Sequence, residues 1–301
     1  MDAQGILNLY KPPGPTSHDC VNRVRRALRL RRVGHAGTLD PMACGVLLVG
    51  VGGGTRILQY LQPLRKVYRA CLSLGWETDT QDATGAVVQE GDASGVTHEQ
   101  FDEALTQLVG EQLQAPPMYS AVKVGGKRLY ELARRGETVP RDSRGITVYG
   151  IECLRFMPGQ RAESEIRVTC SAGTYIRTLC HDLGQVLGTG GVMTALEREA
   201  IGHFRSDQAV SLDTLGADTP LLPLADALAH LPALTVGTGE QIRLAHGQFI
   251  PVPEETPEGL LRLLAEDGAL VALGSVRGHG AARLVAPEKV FVTANAASLR
   301  A

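Results

Sequence analysis

The chain has 301 residues, of which 44% are apolar and 21% charged, with a formal net charge of −2 at pH 7. These proportions exclude disordered, collagenous and coiled-coil classes, and the length suits one large domain plus a small one. Apolar runs such as 45–51 fall far short of the roughly 20 residues of a membrane span, and the first residues lack the basic stretch and apolar core of a signal peptide, so a cytoplasmic protein is expected.

In chain order, Ile6 to Tyr10 reads as a short strand and Lys11-Pro-Pro-Gly-Pro15 as a rigid turn that cannot be helical. Thr16-Ser17 offers an N-cap with Asp19 in the first turn, and Val21, Val24 and Leu28 form the apolar stripe of an arginine-rich helix. Gly34 to Pro41 is a loop, Val46 to Val51 a buried strand, and Gly52-Gly-Gly54 a turn into another helix near Leu61. From Lys66 to Gly75 the positions alternate, with Tyr68, Ala70, Leu72 and Leu74 on one face of a strand. An acid-rich loop follows from Glu77 to Gly85. Thr97 starts a helix running to about Val109, Met118 to Val124 and Arg128 to Arg135 read as strand and helix, and Ile146 to Phe156 and Ile166 to Cys170 read as strands. Thr174 caps a helix with apolar positions Ile176, Leu179, Cys180, Leu183 and Leu187, closed by Gly188. Strands and helices interleave without a steady βαβ beat, which predicts an α+β fold around a mixed sheet. The Pro/Leu/Ala-rich stretch from Pro220 to Pro232 reads as a connection to a small β-rich domain, dividing the chain into 1–231 and 232–301.

The small net charge hides an uneven distribution. Six arginines, at 23, 25, 26, 29, 31 and 32, crowd one short segment, and a second basic stretch runs from Lys123 to Arg144. Such patches suit a polyanion, although each taken singly also fits a solvated helix face. The six cysteines form no Cys-x-x-Cys pair and have no histidine at zinc spacing, so a metal-free protein with reduced thiols is expected.

Three places could carry chemistry. Gly34-His-Ala-Gly-Thr-Leu-Asp40-Pro41 holds an aspartate on a stiff loop, because proline forces the residue before it to be extended; capping a turn is the alternative role for Asp40. Arg177 falls in the first turn of its helix, where the dipole disfavours a cation unless an anion is at hand; a surface arginine packing its stem is the alternative. Tyr68, on the apolar face of its strand, is either a core residue or a site residue. The Gly50–Arg56 run lacks the Gly-Lys-Ser/Thr of a P-loop, Ser17-His18-Asp19 cannot form triad geometry on one helical turn, and Glu77, Asp79 and Asp82 lack the glycine and terminal glutamate of an EF-hand and read as a solvated loop.

Together these segments resemble the bacterial tRNA pseudouridine-55 synthases of the TruB family. Lys11-Pro-Pro-Gly-Pro-Thr-Ser17, Gly34 to Pro41, Lys66-Val-Tyr68 with Thr78 to Gly85, Pro116 to Ala133, and Ser171 to Arg177 are similar to five family segments in order. Residues 242–291 resemble the small β-barrel RNA-binding PUA module. Two departures stand out: Glu197 in Leu196-Glu-Arg198, where the family has arginine, and the Gly53-Gly54 pair.

The resemblance implies a pseudouridine synthase fold, with a central mixed, mainly antiparallel sheet flanked by helices and a PUA-like C-terminal domain. It implies isomerisation of uridine 55 in the tRNA T-loop by base flipping, with no cofactor, metal or guide RNA, by a monomer. Asp40 would be the nucleophile, on ribose or on the uracil ring. Arg177 would mainly orient it, since an ordinary Asp is already ionised at pH 7. Tyr68 would stack on the base and help remove its C5 proton. Leu196 would line the pocket, and His35 would occupy the place the flipped base vacates. Lys11, Arg25, Arg26 and Lys123 would contact substrate, and the C-terminal domain would hold the acceptor end. A non-catalytic RNA-binding protein, a synthase acting on ribosomal RNA and a nucleotide-binding enzyme are the rival readings.

Overall fold

The computed structural model describes residues 3–120, 122–133, 135–278 and 283–292. Its main sheet runs, in spatial order, through Val210–Ser211, Gly5–Lys11, Cys44–Val51, Gly191–Ile201, Lys66–Leu74, Glu163–Cys170, Arg144–Met157 and Gly110–Gln114. Two pairings in that path are parallel, Gly5–Lys11 with Val210–Ser211 and Cys44–Val51 with Gly191–Ile201, and the others are antiparallel. The expected mixed, mainly antiparallel sheet is therefore present. Its length follows from alternation: on the Tyr68 strand, Tyr68, Ala70 and Leu72 face inward onto the largest apolar cluster, with Phe101, Leu105, Leu179 and Leu183 from two helices covering them.

Local signals explain the starts of two of the longer helices. Thr16 and Asp19 form a capping box for Ser17–Leu28, and Thr97 and Gln100 form one for His98–Gln107. The Arg177 helix, Ile176–Val186, begins differently from the expected Thr174 cap. Its N-cap is Tyr175, with no side-chain cap bond. Buried Gln114 takes over that role, accepting from Tyr175 N (2.7 Å) and donating to Tyr175 O (3.1 Å) across 61 residues. Thr174 instead donates to Ser171 O. Two segments differ from expectation in extent: among the described residues of 118–124 only Lys123–Val124 pairs as a strand, and the following helix is Leu129–Ala133. The Gly52–Arg56 segment is a short 3-10 helix packed against the first strand, with no open phosphate cradle: a Cβ on Gly54 would lie 2.1 Å from Gly5 O.

A second sheet of five strands begins at Ala233 and ends at Val290, with the helix Thr238–Ala245 against it and its own apolar cluster around Leu261, Leu263 and Val271. It also shares a core with the first sheet. Leu270 and Leu273 join Ile57, Leu61, Phe204 and Leu224 in one cluster. Arg262 donates to Leu231 O and Ala225 O, and Arg56 donates to Val290 O while covering the Phe291 ring at 4.6 Å. None of the helices described is long and apolar enough to cross a membrane.

The position of the Arg177 helix is set by contact without side chains. A Cβ on Gly184 would lie 2.2 Å from Gly190 C and Gly191 N, and one on Gly191 would lie 2.5 Å from Cys180 O. Both glycines therefore let helix and strand backbones touch. Gly184→Ala must push the helix off the strand, and should lower stability by about 1–3 kcal/mol, measured as a shifted denaturant midpoint at unchanged slope.

Candidate active site

The loop carrying Asp40 is clamped from beneath by the N-terminal segment. Lys11 is fully buried, and its ammonium donates to the carbonyls of Pro12 (3.1 Å), Pro41 (3.1 Å) and Ala43 (2.6 Å). Ser17 Oγ accepts from Leu39 N at 2.9 Å, and Gly14 N donates to Pro41 O at 2.8 Å. The expectation that Lys11 contacts substrate is corrected by this geometry: its three protons are directed to backbone oxygens that fix the loop. Behind the loop, Gly45 adopts φ +102°, and a Cβ there would lie 2.3 Å from Arg198 O. Only glycine permits that approach.

Asp40 and Arg177 meet over a cavity of about 480 Å³, whose lining includes Lys66, Tyr68, Leu196 and Arg198. Arg177 Nη2 lies 3.3 Å from Asp40 Oδ2, and Arg177 Nη1 lies 3.3 Å from Asp82 Oδ2. Nη2 also donates to Tyr119 O at 2.6 Å. The anion that the helix dipole demands near Arg177 is thus present twice. Asp82 is buried, which overturns the reading of its loop as solvated. Its Oδ1 accepts from Thr80 Oγ1 and Thr84 N, both at 2.9 Å, and from the Thr84 hydroxyl, so three donors hold the carboxylate in one orientation. Glu77 is buried as well, accepting from Gln185 Nε2.

The Asp40 side chain keeps 37% of its surface, but that surface faces the cavity. Burial raises its carboxyl above the ordinary Asp range; Arg177 is the largest opposing influence, Asp82 pushes it further up, and Lys11 pulls it down. Arg177 therefore does more than orient Asp40: it offsets a burial that favours the neutral acid. Tyr68 is buried, which pushes its phenol up, with Arg198 the main opposing influence. Lys66, also buried, donates to Gln62 O and Leu64 O, and is pushed down to about 8 by burial and then by Arg198.

Leu196 lines the cavity and stands directly opposite Ala70, two residues along the strand from Tyr68. His35 sits on the short strand Val33–Ala36, opposite Val49, and is not among the residues lining the cavity. Burial, with Arg198 and His18, lowers its imidazole pKa. Among the basic residues, Arg25 is half-buried and bonded to Asn22 Oδ1 and Val33 O, so it joins the helix to the strand that follows. Arg23 pairs with Asp213, and Arg32 donates to Thr55 Oγ1. Arg26, Arg29 and Arg31 are exposed. The side chain of Lys123 lies outside the described residues. Glu197 receives the Tyr10 hydroxyl at 3.4 Å.

Two residues were given no site role in the sequence reading. Asp82 is ringed by Thr78, Thr80 and Thr84, an alternation of hydroxyls around one acid that marks a self-bonded turn. Arg198 follows Leu196 and precedes Ala200 on the buried face of its strand. A charge in the apolar phase of a period-two segment was the signal there.

This fold is that of a pseudouridine synthase, a class of isomerases. The Cbf5 chain of an archaeal box H/ACA sRNP Nop10–Cbf5 complex aligns over 97% of this chain and 88% of its own, with a TM-score of 0.72 and 30% identity. Within the class, the chain belongs to the TruB family: residues 25–176 match the TruB family pseudouridylate synthase N-terminal domain, and residues 177–221 the tRNA pseudouridylate synthase B C-terminal domain. A tRNA pseudouridine synthase B of Heliobacterium modesticaldum is 42% identical over 296 residues, covering 97% of this chain and 96% of that one. Another, from Symbiobacterium thermophilum, is 49% identical over 247 residues, covering 82% and 83%.

The charge arrangement makes two opposed predictions. Arg177→Gln removes the largest influence holding the Asp40 carboxyl down, so its titration should move to higher pH; Asp82→Asn removes an influence pushing it up, so it should move to lower pH. Carboxyl-carbon NMR of labelled aspartate, assigned with Asp40→Asn, reads both. An upward move in Asp82→Asn would mean that Asp82 acts chiefly by holding Arg177 in place.

Proposed function

We propose that this protein isomerises uridine 55 in the T-loop of tRNA to pseudouridine, without a guide RNA. The observation that carries this reading is the Asp40–Arg177 pair lining one cavity together with Tyr68, in a chain similar along nearly its whole length to bacterial enzymes named for tRNA. A cavity of about 480 Å³ falls in the range of small-ligand sites, and accepts a base and its ribose only once they leave the stack, at a cost of a few kcal/mol.

The reaction breaks the bond from C1′ to N1 and forms one from C1′ to C5, with no redox change. Asp40, kept ionised by Arg177, supplies the attacking carboxylate. Tyr68 stacks on the uracil, and its hydroxyl helps remove the C5 proton after reattachment. Leu196 closes the other side of the base, and His35 fills the gap left in the tRNA. Arg26, Arg29 and Arg31 grip phosphates, joined by Lys123 on the second basic stretch; Arg25 contributes by fixing the helix that presents them. We assign residues 1–231 to catalysis and 232–301 to RNA binding at the acceptor end, in a monomer working in the cytoplasm.

Incubation with an unmodified tRNA transcript, followed by mapping of pseudouridine by position, tests the reading. A single product at the T-loop uridine is expected, and Asp40→Asn should lower the rate by about 10³-fold or more. Product elsewhere would refute the assigned substrate, and undiminished turnover by Asp40→Asn the nucleophile.

The basic surface has its own test. Replacing Arg26, Arg29 and Arg31 together with alanine should weaken tRNA binding and reduce the steepness of its salt dependence by about 2 to 3. An unchanged slope in a filter-binding titration would return these arginines to the role of a solvated face.

A further inference from the structure

Arg198 is a buried charge in an unusual position. It is 1% exposed and lines the cavity, yet has no carboxylate partner among the described residues. Its Nε donates to Val46 O at 2.8 Å, and its Nη2 to Gly37 O at 3.1 Å. It stands directly opposite Tyr68 in the strand register, and the two side chains line the same cavity. Lys11 and Lys66 lie near enough that it disfavours their protonated forms. A buried cation without an anion is costly, and more so among other cations. An uncharged amide could make the two carbonyl bonds, so the tethers alone do not account for a full charge.

We infer that Arg198 is a positioning residue for the isomerisation: anchored to the Asp40 loop and facing Tyr68 across the strand pair, it stabilises the negative charge that the Tyr68 oxygen carries before it takes up the C5 proton. The inference rests on the role proposed for Tyr68 in removing the C5 proton. Asp40 is held by Arg177, so the side-chain oxygen facing Arg198 that is free to bear charge is that of Tyr68. In the step concerned, the proton on C5 of the reattached base moves to the Tyr68 oxygenate. The C–H electron pair restores the C5–C6 double bond, the pair displaced from the C6–N1 bond goes to N1, which takes up a proton from water, and the neutral phenol later returns its proton to water. Burial works against the oxygenate, and Arg198 is the main influence working for it. Through Gly37, the same guanidinium is anchored to the loop that carries Asp40, three residues further along.

The experiment uses the full chain and a tRNA transcript carrying tritium at C5 of uridine, followed under single-turnover conditions. Arg198→Gln should slow tritium release by about 10- to 100-fold while leaving the tRNA Kd within about twofold. Because both residues act through one oxygen, adding Tyr68→Phe should slow it by less than about threefold more. Arg198→Lys should recover part of the rate; if the glutamine variant does not fold, the lysine variant carries the same cycle. Multiplicative penalties, an undiminished Arg198→Gln rate, or a loss confined to tRNA affinity would overturn the inference alone. An undiminished Tyr68→Phe rate would overturn the role of Tyr68 and this inference with it, leaving the assignment of Asp40 intact.

Discussion

The guanidinium of Arg177 sits where a helix least favours a cation, in its first turn, and everything about the site is arranged around keeping it there. Two carboxylates from separate loops flank it, and the carbonyl of Tyr119 takes a further proton. Neither carboxylate is free to wander: Asp82 is locked by the hydroxyls and amide of its own turn, and the Asp40 loop by Lys11, Gly14 and Ser17. The helix itself is fixed at one end by Gln114 and at the other by glycine-to-glycine contact with the strand bearing Leu196 and Arg198. Each group is held before substrate arrives, so little reorganisation is left for the reaction.

The same preorganisation explains why basic residues divide into two populations. Lys11, Lys66 and Arg198 are buried and bonded to backbone carbonyls, and they lie in or beneath the loop and lining of the cavity. Arg26, Arg29 and Arg31 are exposed on and just beyond the first helix. Only the second population can exchange counterions with a polyanion, whereas the first imposes a fixed positive field inside the cavity.

Local patterns were the most legible part of the sequence. The capping boxes at Thr16 and Thr97 and the alternation around Tyr68 announced their elements, since each depends on residues within a few positions. The Gly191–Ile201 strand was not legible: it opens with glycine and carries Glu197, Arg198 and Glu199 in succession, which reads as polar chain until its inward phase is known. Long-range substitution defeated the Thr174 cap, because Gln114 supplies the bonds from 61 residues away. Asp82 was misjudged for a related reason: acidity suggests solvent, and the arginine that buries it is 95 residues distant. Lys11 shows the converse, a lysine in a basic N-terminal region whose position is dictated by carbonyls rather than by phosphate.

The seam between the two sheets bears on how the chain melts. Leu270 and Leu273 complete an apolar cluster whose other members, Ile57, Leu61, Phe204 and Leu224, come from the first 230 residues, and Arg56 and Arg262 bond across it. Losing the C-terminal sheet would open that cluster to water, so the two parts unfold as one cooperative unit, and a chain ending before Ala233 would carry a sticky apolar face into association.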